Sequence, residues 1–246
     1  MPDPSSAPSS LLSRPLHELP DPLPVPCLST ERGRPPPLAR LKPPGSKSLT
    51  NRALLLAALS SGTSRIDRPL LGAEDTERMI AALGGLGASI AQDGNGLRVE
   101  GVDGRWKPSQ AEPRLELHNA GTAVRFLAAA AALSPVPLVI DGNERMRQRP
   151  IGELIDALRE LDVEAEYLGS PGCPPVRLRP PAALPRAATI ELPTTLSSQF
   201  ISALLLIAPW LPGGLTLKLE GEITSRSYIQ MTIGLLDALG ASVRSS

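Results

Sequence analysis

From Leu38 onward one succession of segments occurs three times, and this repetition limits the possible folds more than any other feature. A turn of small and polar residues leads into an apolar helix. The turns are Gly45-Ser46-Lys47-Ser48, Asn119-Ala120-Gly121-Thr122 and Leu196-Ser197-Ser198-Gln199, and the helices Leu49–Leu59, Ala123–Leu133 and Phe200–Leu206. A short strand follows each time, at Ser64–Ile66, Leu138–Ile140 and Leu215–Leu219. Then comes an amphipathic helix with charge near its start, at Glu74–Leu86, Pro150–Leu161 and Tyr228–Leu239. Its last leucine (Leu86, Leu161, Leu239) recurs at a spacing of about 76 residues. That period is too long for a solenoid. It predicts an α/β (α+β) domain of three βαβαββ-type units with pseudo-threefold symmetry and helices packed inside. The units are about 41–112, 113–185 and 186–246. Copies one and two continue into strands Gly96–Glu100 and Pro175–Arg179, whereas copy three reaches Ser246 first. The third unit is expected to be incomplete, with the chain truncated before its last strands.

Proline separates this body from what precedes it. Thirteen of the 28 prolines fall within the first 44 residues. Proline donates no backbone hydrogen bond and interrupts helices, so 1–37 reads as a flexible arm and 38–246 as the domain. The arm has no apolar stretch after a basic start, which excludes a secretory signal. Its acids Asp3, Glu18, Asp21 and Glu31 fit a transit peptide poorly. With 25 basic and 25 acidic residues the formal charge is zero, and only six side chains are aromatic. Neither favours nucleic acid or an anionic membrane as a partner. Two cysteines and two histidines, with no CxxC or HExxH, argue against a disulfide framework and a zinc site. No apolar run approaches the roughly 20 residues of a membrane span. The expectation is a cytoplasmic protein without metal or cofactor.

The turns indicate the chemistry. A helix N-terminus gathers unsatisfied N–H donors and about half a positive charge, and therefore favours anions. Copy one adds Lys47 in the turn and Arg52 one helical turn after Ser48. Copy two is followed by Arg145, Arg147 and Arg149 just before Pro150, at an expected first helical position. Arg149, next to the helix start, is the candidate for bidentate recognition of carboxylate or phosphate. A basic, serine-rich rim of this kind suits a small molecule with more than one anionic group. His118 lacks a GxSxG partner and reads as a supporting residue, and Cys173 as an inert loop cysteine.

These residues also carry a family resemblance. Pro44-Gly45-Ser46-Lys47-Ser48-Leu49-Thr50-Asn51-Arg52-Ala53-Leu54 resembles the first signature of the 5-enolpyruvylshikimate-3-phosphate (EPSP) synthases. Asn119–Arg125 resembles the second and Arg149-Pro150-Ile151-Gly152 the arginine motif. Leu196–Phe200 and Ser225–Ile229 complete the set in the family's order. UDP-N-acetylglucosamine enolpyruvyltransferase shares the fold but differs at the first motif and uses a cysteine loop not found here. The resemblance implies one half of a two-domain enolpyruvyltransferase fold. It also implies transfer of the enolpyruvyl group of phosphoenolpyruvate to the 5-hydroxyl of shikimate 3-phosphate, on the route to chorismate and aromatic amino acids. By the same resemblance Lys47 and Arg149 bind phosphoenolpyruvate against Asn119, Gly121 and Thr122. Ser48, Arg52, Ser197, Ser198, Ser225 and Tyr228 hold shikimate 3-phosphate, and Gln199 lies between the two. The full-length form is expected to be a monomer. Phe126 stands where many members have proline and His118 where they often have glycine. The family's acid–base groups belong to a second domain absent from these 246 residues, so the chain alone is expected to be inactive. The alternative is a non-catalytic anion-binding half that needs a complementing chain.

Overall fold

The computed structural model describes residues 43–193, 197–221 and 225–244. The chain divides into two units, Met1–Pro43 and Pro44–Ser246. Apart from Pro43 the first lies outside the described residues, together with the expected arm and its boundary.

The second unit runs α1 (Lys47–Leu59), β1 (Thr63–Asp67), α2 (Glu74–Gly85), β2 (Ser89–Asp93) and β3 (Gly96–Glu100). It continues with β4 (Arg114–Glu116), α3 (Gly121–Ala130), β5 (Leu138–Asp141), α4 (Gly152–Arg159), β6 (Glu164–Tyr167) and β7 (Val176–Arg179). It closes with β8 (Ala188–Pro193), α5 (Ser198–Ile207), β9 (Leu215–Glu220) and α6 (Arg226–Ala238). The strands form three separate sheets, ordered β1-β3-β2, β4-β5-β7-β6 and β8-β9. The internal repeat is visible in their pairing. β4 with β5 and β8 with β9 are parallel, whereas β1 with β3 and β5 with β7 are antiparallel. The first sheet thus repeats the β5-β7-β6 part of the second, and the third repeats β4-β5. The third sheet has two strands among the described residues.

Helices α1, α3 and α5 form the interior. Residues Ala123–Ala130 of α3 are all buried, as are Leu54–Leu59 of α1. Apart from Arg125 this stretch of α3 is apolar on every side and cannot face water, and the alanines at 128–132 let its neighbours approach closely. The partner helices α2, α4 and α6 bury a single stripe, such as Met79, Ala82 and Leu83 on α2. The exposed faces of the sheets carry ion pairs, Arg65 with Asp93, Arg177 with Glu112 and Glu166, and Lys218 with Glu191. Such pairs order the surface and contribute little energy. The three closing leucines differ: Leu86 and Leu161 are 0% exposed and Leu239 is 63% exposed. The carbonyl of Leu86 accepts a hydrogen bond from Lys107 N–H at 2.8 Å, so the segment after β3 folds back over that end. No helix among the described residues is long and apolar enough to cross a membrane.

Only α2 starts where expected; α1, α3, α5 and α6 begin two residues earlier and α4 two residues later, and for α1 and α4 the cause is visible. The first begins at Lys47, not Leu49, because the Ser46 hydroxyl caps it by accepting from Leu49 N–H at 3.4 Å. The fourth begins at Gly152, not Pro150. Ile151 N–H is taken by the carbonyl of Gly172 at 2.8 Å, and Ile151 has non-helical φ −134° and ψ 5°.

A buried carboxylate anchors the second sheet. Asp141, at the end of β5, is 0% exposed. It accepts from Arg147 Nε and Nη2 at 2.9 and 2.8 Å, from Gly142 N–H at 2.8 Å, and from Arg114. Burial pushes its pKa up, but the bonds from Arg147, Gly142 and Arg114 outweigh this and hold it below the usual value. The folded state then binds fewer protons than the unfolded one. The resulting stabilisation is present above the unfolded carboxylate range, near about pH 4, and is lost as pH falls through the lowered folded value. The urea midpoint is expected to fall below about pH 4, and Asp141→Asn to flatten that decline. Equal acid sensitivity in the variant would remove Asp141 as its source.

Candidate functional site

The first motif is built at close quarters with the loop between β1 and α2. A Cβ on Gly45 would lie 2.5 Å from the Arg68 carbonyl and 2.6 Å from Leu70 N, so glycine is required there. Thr50 Oγ1 accepts from Leu70 N–H at 3.0 Å and locks the same loop to α1. Lys47, in the first turn, is half-exposed and its Nζ lies 3.3 Å from Asp75 in the first turn of α2. An ion pair this exposed is weak and leaves the ammonium available to a competing anion. Ser48 beside it is half-buried.

Arg52 lies beneath that turn and is 2% exposed. Its Nη1 donates to the Ser48 carbonyl at 2.9 Å, and Nε donates to Thr232 Oγ1 at 2.7 Å. Nη2 donates to Ser202 Oγ at 3.0 Å and to the Tyr228 carbonyl at 3.3 Å. Burial lowers its pKa, partly opposed by Tyr228. One guanidinium therefore joins α1 to α5 and α6. With four N–H bonds made to protein and almost no exposure, Arg52 lies beneath the turn of the first motif.

A second cluster forms at the start of α3. Ala120, its cap residue, offers no side-chain acceptor, so the first-turn amides have no side-chain cap. Gly121 is buried beneath two guanidinium groups. A Cβ there would lie 2.7 Å from Arg149 Nη1 and 3.0 Å from both Arg149 Nη2 and Arg125 Nη1. Arg125 Nη1 donates to the Gly121 carbonyl at 2.8 Å, and Nη2 to the Pro150 carbonyl at 3.4 Å. Burial and then the neighbouring Arg149 charge lower the Arg125 pKa to about 10. Two like charges held this close call for an anion between or above them. The Asn119 Oδ1 and Arg125 Nε atoms are buried without a protein partner. Thr122, half-buried, completes this turn.

Two aromatic contacts join the clusters. The Arg52 guanidinium lies 5.2 Å from the Phe126 ring centroid and that of Arg125 lies 5.7 Å from Phe200. Phe200 follows the turn in which Ser197 caps α5, accepting from Gln199 N–H at 3.3 Å. Ser198 is buried, Ser197 and Gln199 half-buried, and Leu196 lies outside the described residues. Ser225 caps α6 in a left-handed conformation, φ 57°, without a side-chain bond, and Tyr228 is 43% exposed.

The structure therefore gathers Gly121 and Arg149 in one group, and links Ser48 and Tyr228 through Arg52. Lys47 reaches Asp75 instead. Residue reading alone had assigned no role to Arg125 or Asp75. Arg125 was legible as the residue four after Gly121, on the same helical face, and Asp75 as one of three acids in the first turn of α2. Half-buried Cys173 carries no disulfide, and no cluster of three metal-ligating side chains occurs among the described residues.

The family EPSP synthase (3-phosphoshikimate 1-carboxyvinyltransferase) matches residues 36–246. The 3-phosphoshikimate 1-carboxyvinyltransferase of Laribacter hongkongensis is 45% identical over 202 residues, covering 81% of this chain and 46% of the relative. That of Pseudomonas syringae is 44% identical over 212 residues, covering 85% and 49%. Among solved structures, EPSP synthase of Acinetobacter baumannii superposes with a TM-score of 0.71 at 26% identity, over 82% of this chain and 44% of that one. An enolpyruvyl transferase of Streptomyces tendae shares the fold at a TM-score of 0.57 and 19% identity. The chain spans about half the length of the curated relatives it matches. With its motifs in order, its helices packed inside three sheets and its family match extending from 36 to 246, this chain belongs to the EPSP synthase family.

Proposed function

We propose that this chain provides one half of a 3-phosphoshikimate 1-carboxyvinyltransferase site. The observation that carries the reading is the pair of guanidinium groups, Arg149 and Arg125, closed over Gly121 at a helix start without a side-chain cap. In the proposed reaction the 5-hydroxyl of shikimate 3-phosphate adds to C2 of phosphoenolpyruvate while C3 gains a proton. The tetrahedral adduct then loses phosphate and a C3 proton, leaving the enolpyruvyl ether. Lys47 and Arg149, with Arg125 behind them, bind the phosphoenolpyruvate anion against Asn119, Gly121 and Thr122. Ser48, Ser197, Ser198, Ser225 and Tyr228 hold shikimate 3-phosphate, Arg52 supports them, and Gln199 lies between the substrates. The contribution of these groups is positioning and charge stabilisation by fixed donors. We further read 38–246 as the domain, in units of about 41–112, 113–185 and 186–246, and the full-length form as a cytoplasmic monomer.

Calorimetric titration of the chain with shikimate 3-phosphate tests the half-site. Weak binding is expected for these 246 residues by themselves, with no phosphate release after phosphoenolpyruvate is added, since they correspond to about half of a relative. Absence of binding by either substrate would overturn the reading.

A further inference from the structure

We propose that His118 is a positioning residue for the anion-binding turn, and that its proton selects between two partners on α2. His118 immediately precedes Asn119 and has left-handed backbone, φ 47°. Its imidazole Nδ1 lies 3.0 Å from Glu74 Oε1 and 3.2 Å from Arg78 Nη2. One ring nitrogen cannot serve both. Without a proton it accepts from the Arg78 guanidinium and faces Glu74 lone pair to lone pair. With a proton it donates to Glu74 and meets the Arg78 N–H head-on. The two arrangements exclude each other: a neutral ring reaches either one by choice of tautomer, whereas the imidazolium holds only the second.

The backbone of His118 gives this choice a route to the site. Its N–H donates to Glu116 Oε1 at 3.3 Å, and its carbonyl accepts from Asn143 N–H at 3.2 Å. A Cβ on Gly142 would collide with that same carbonyl. His118 therefore ties the end of β4 to the loop that leads to Arg147 and Arg149. On the other side, Glu74 adjoins Asp75, the partner of Lys47. The charged groups facing the imidazole among the described residues are Glu74 and Arg78 of α2, with Glu116 of β4 on its backbone. The loop from β5 contributes Asn143 through its backbone alone. Protonation to the imidazolium confines His118 to the Glu74 arrangement and adds a positive charge next to the turn that carries Asn119 and Gly121. Anion affinity is then higher when His118 is charged. This last step rests on the reading of that turn as an anion site, whereas the choice of partner does not.

The chain has two histidines, so in a His17→Gln background the resonance of residue 118 is observed alone by NMR across pH 5–8. Arg78→Gln is expected to raise its titration midpoint and Glu74→Gln to lower it, each by about half a pH unit or more. Unmoved midpoints in both variants would overturn the partner choice. Sulfate, a dianion throughout this range, is then titrated into the same protein. Its affinity is expected to rise roughly threefold as His118 gains its proton, and to lose that inflection in His118→Gly. Glycine accepts the left-handed backbone, so that variant keeps the turn. An inflection that survives in His118→Gly, or wild-type sulfate affinity that does not vary with pH, would overturn the coupling. If sulfate fails to bind at every pH, the anion-site reading falls and takes the coupling with it, while the NMR result still decides the partner choice.

Discussion

Arg52→Ala is expected to destabilise the chain by about 3–5 kcal/mol, a large share of what a domain of this size has in hand. The guanidinium is 2% exposed and makes four hydrogen bonds, to Ser48, Ser202, Tyr228 and Thr232. Truncation removes these four bonds, and with them the link from α1 to α5 and α6, and opens a void beside Phe126. What stays is the bonding of Thr232 Oγ1 to Ser202 Oγ and, within α6, to the Tyr228 carbonyl. The measurement is urea unfolding followed by circular dichroism, with Arg52→Lys alongside. Lysine keeps the charge but has a single ammonium in place of the planar fork, so it should recover only part of the loss. A variant as stable as wild type that fails only to bind shikimate 3-phosphate would show that Arg52 acts as a ligand after all.

Lys47→Ala should behave in the opposite way. Its pair with Asp75, at 3.3 Å, is half-exposed and adds little to stability. Unfolding is expected to stay within about 0.5 kcal/mol of wild type. In a protein that also carries the second half of a full-length relative, turnover is expected to fall by about 10²–10³ or more, as when one well-placed donor is taken from a developing charge. In the chain alone, phosphoenolpyruvate affinity should drop by at least about tenfold. Near-normal turnover with Lys47 absent would reject its place in the site. The two arginine and lysine variants together separate support from contact, a distinction that residue type does not make.

That distinction marks the limit of the sequence. The repeat was legible because each unit must bury its own apolar helix, and burial leaves a periodic trace in residue order: Leu54–Leu59, Phe126–Ala130 and Ala203–Ile207 are apolar runs that only an interior accommodates. The turns at the helix starts were legible for a similarly local reason, since a helix start with glycine, serine and a nearby cation carries its pattern within a few residues. Helix starts at Lys47 and Gly152 were less so. The first depended on which hydroxyl caps, and the second on the Gly172 carbonyl arriving from elsewhere in the chain.

Residue order alone thus determined the α/β class, the threefold plan and the five motifs, all of them properties of short segments. Tertiary structure decided which cations stay at the surface and which are spent inside. Arg52 and Lys47 lie five residues apart on one helix, yet Arg52 meets Ser202 and Thr232, 150 and 180 residues away, and Lys47 remains at the surface with Asp75. It also placed Arg125 and Arg149 over Gly121 and set His118 between Glu74 and Arg78. The reason is physical: the energy of a charged group is set by its exposure and by partners brought from distant parts of the chain, and neither exists until the helices pack.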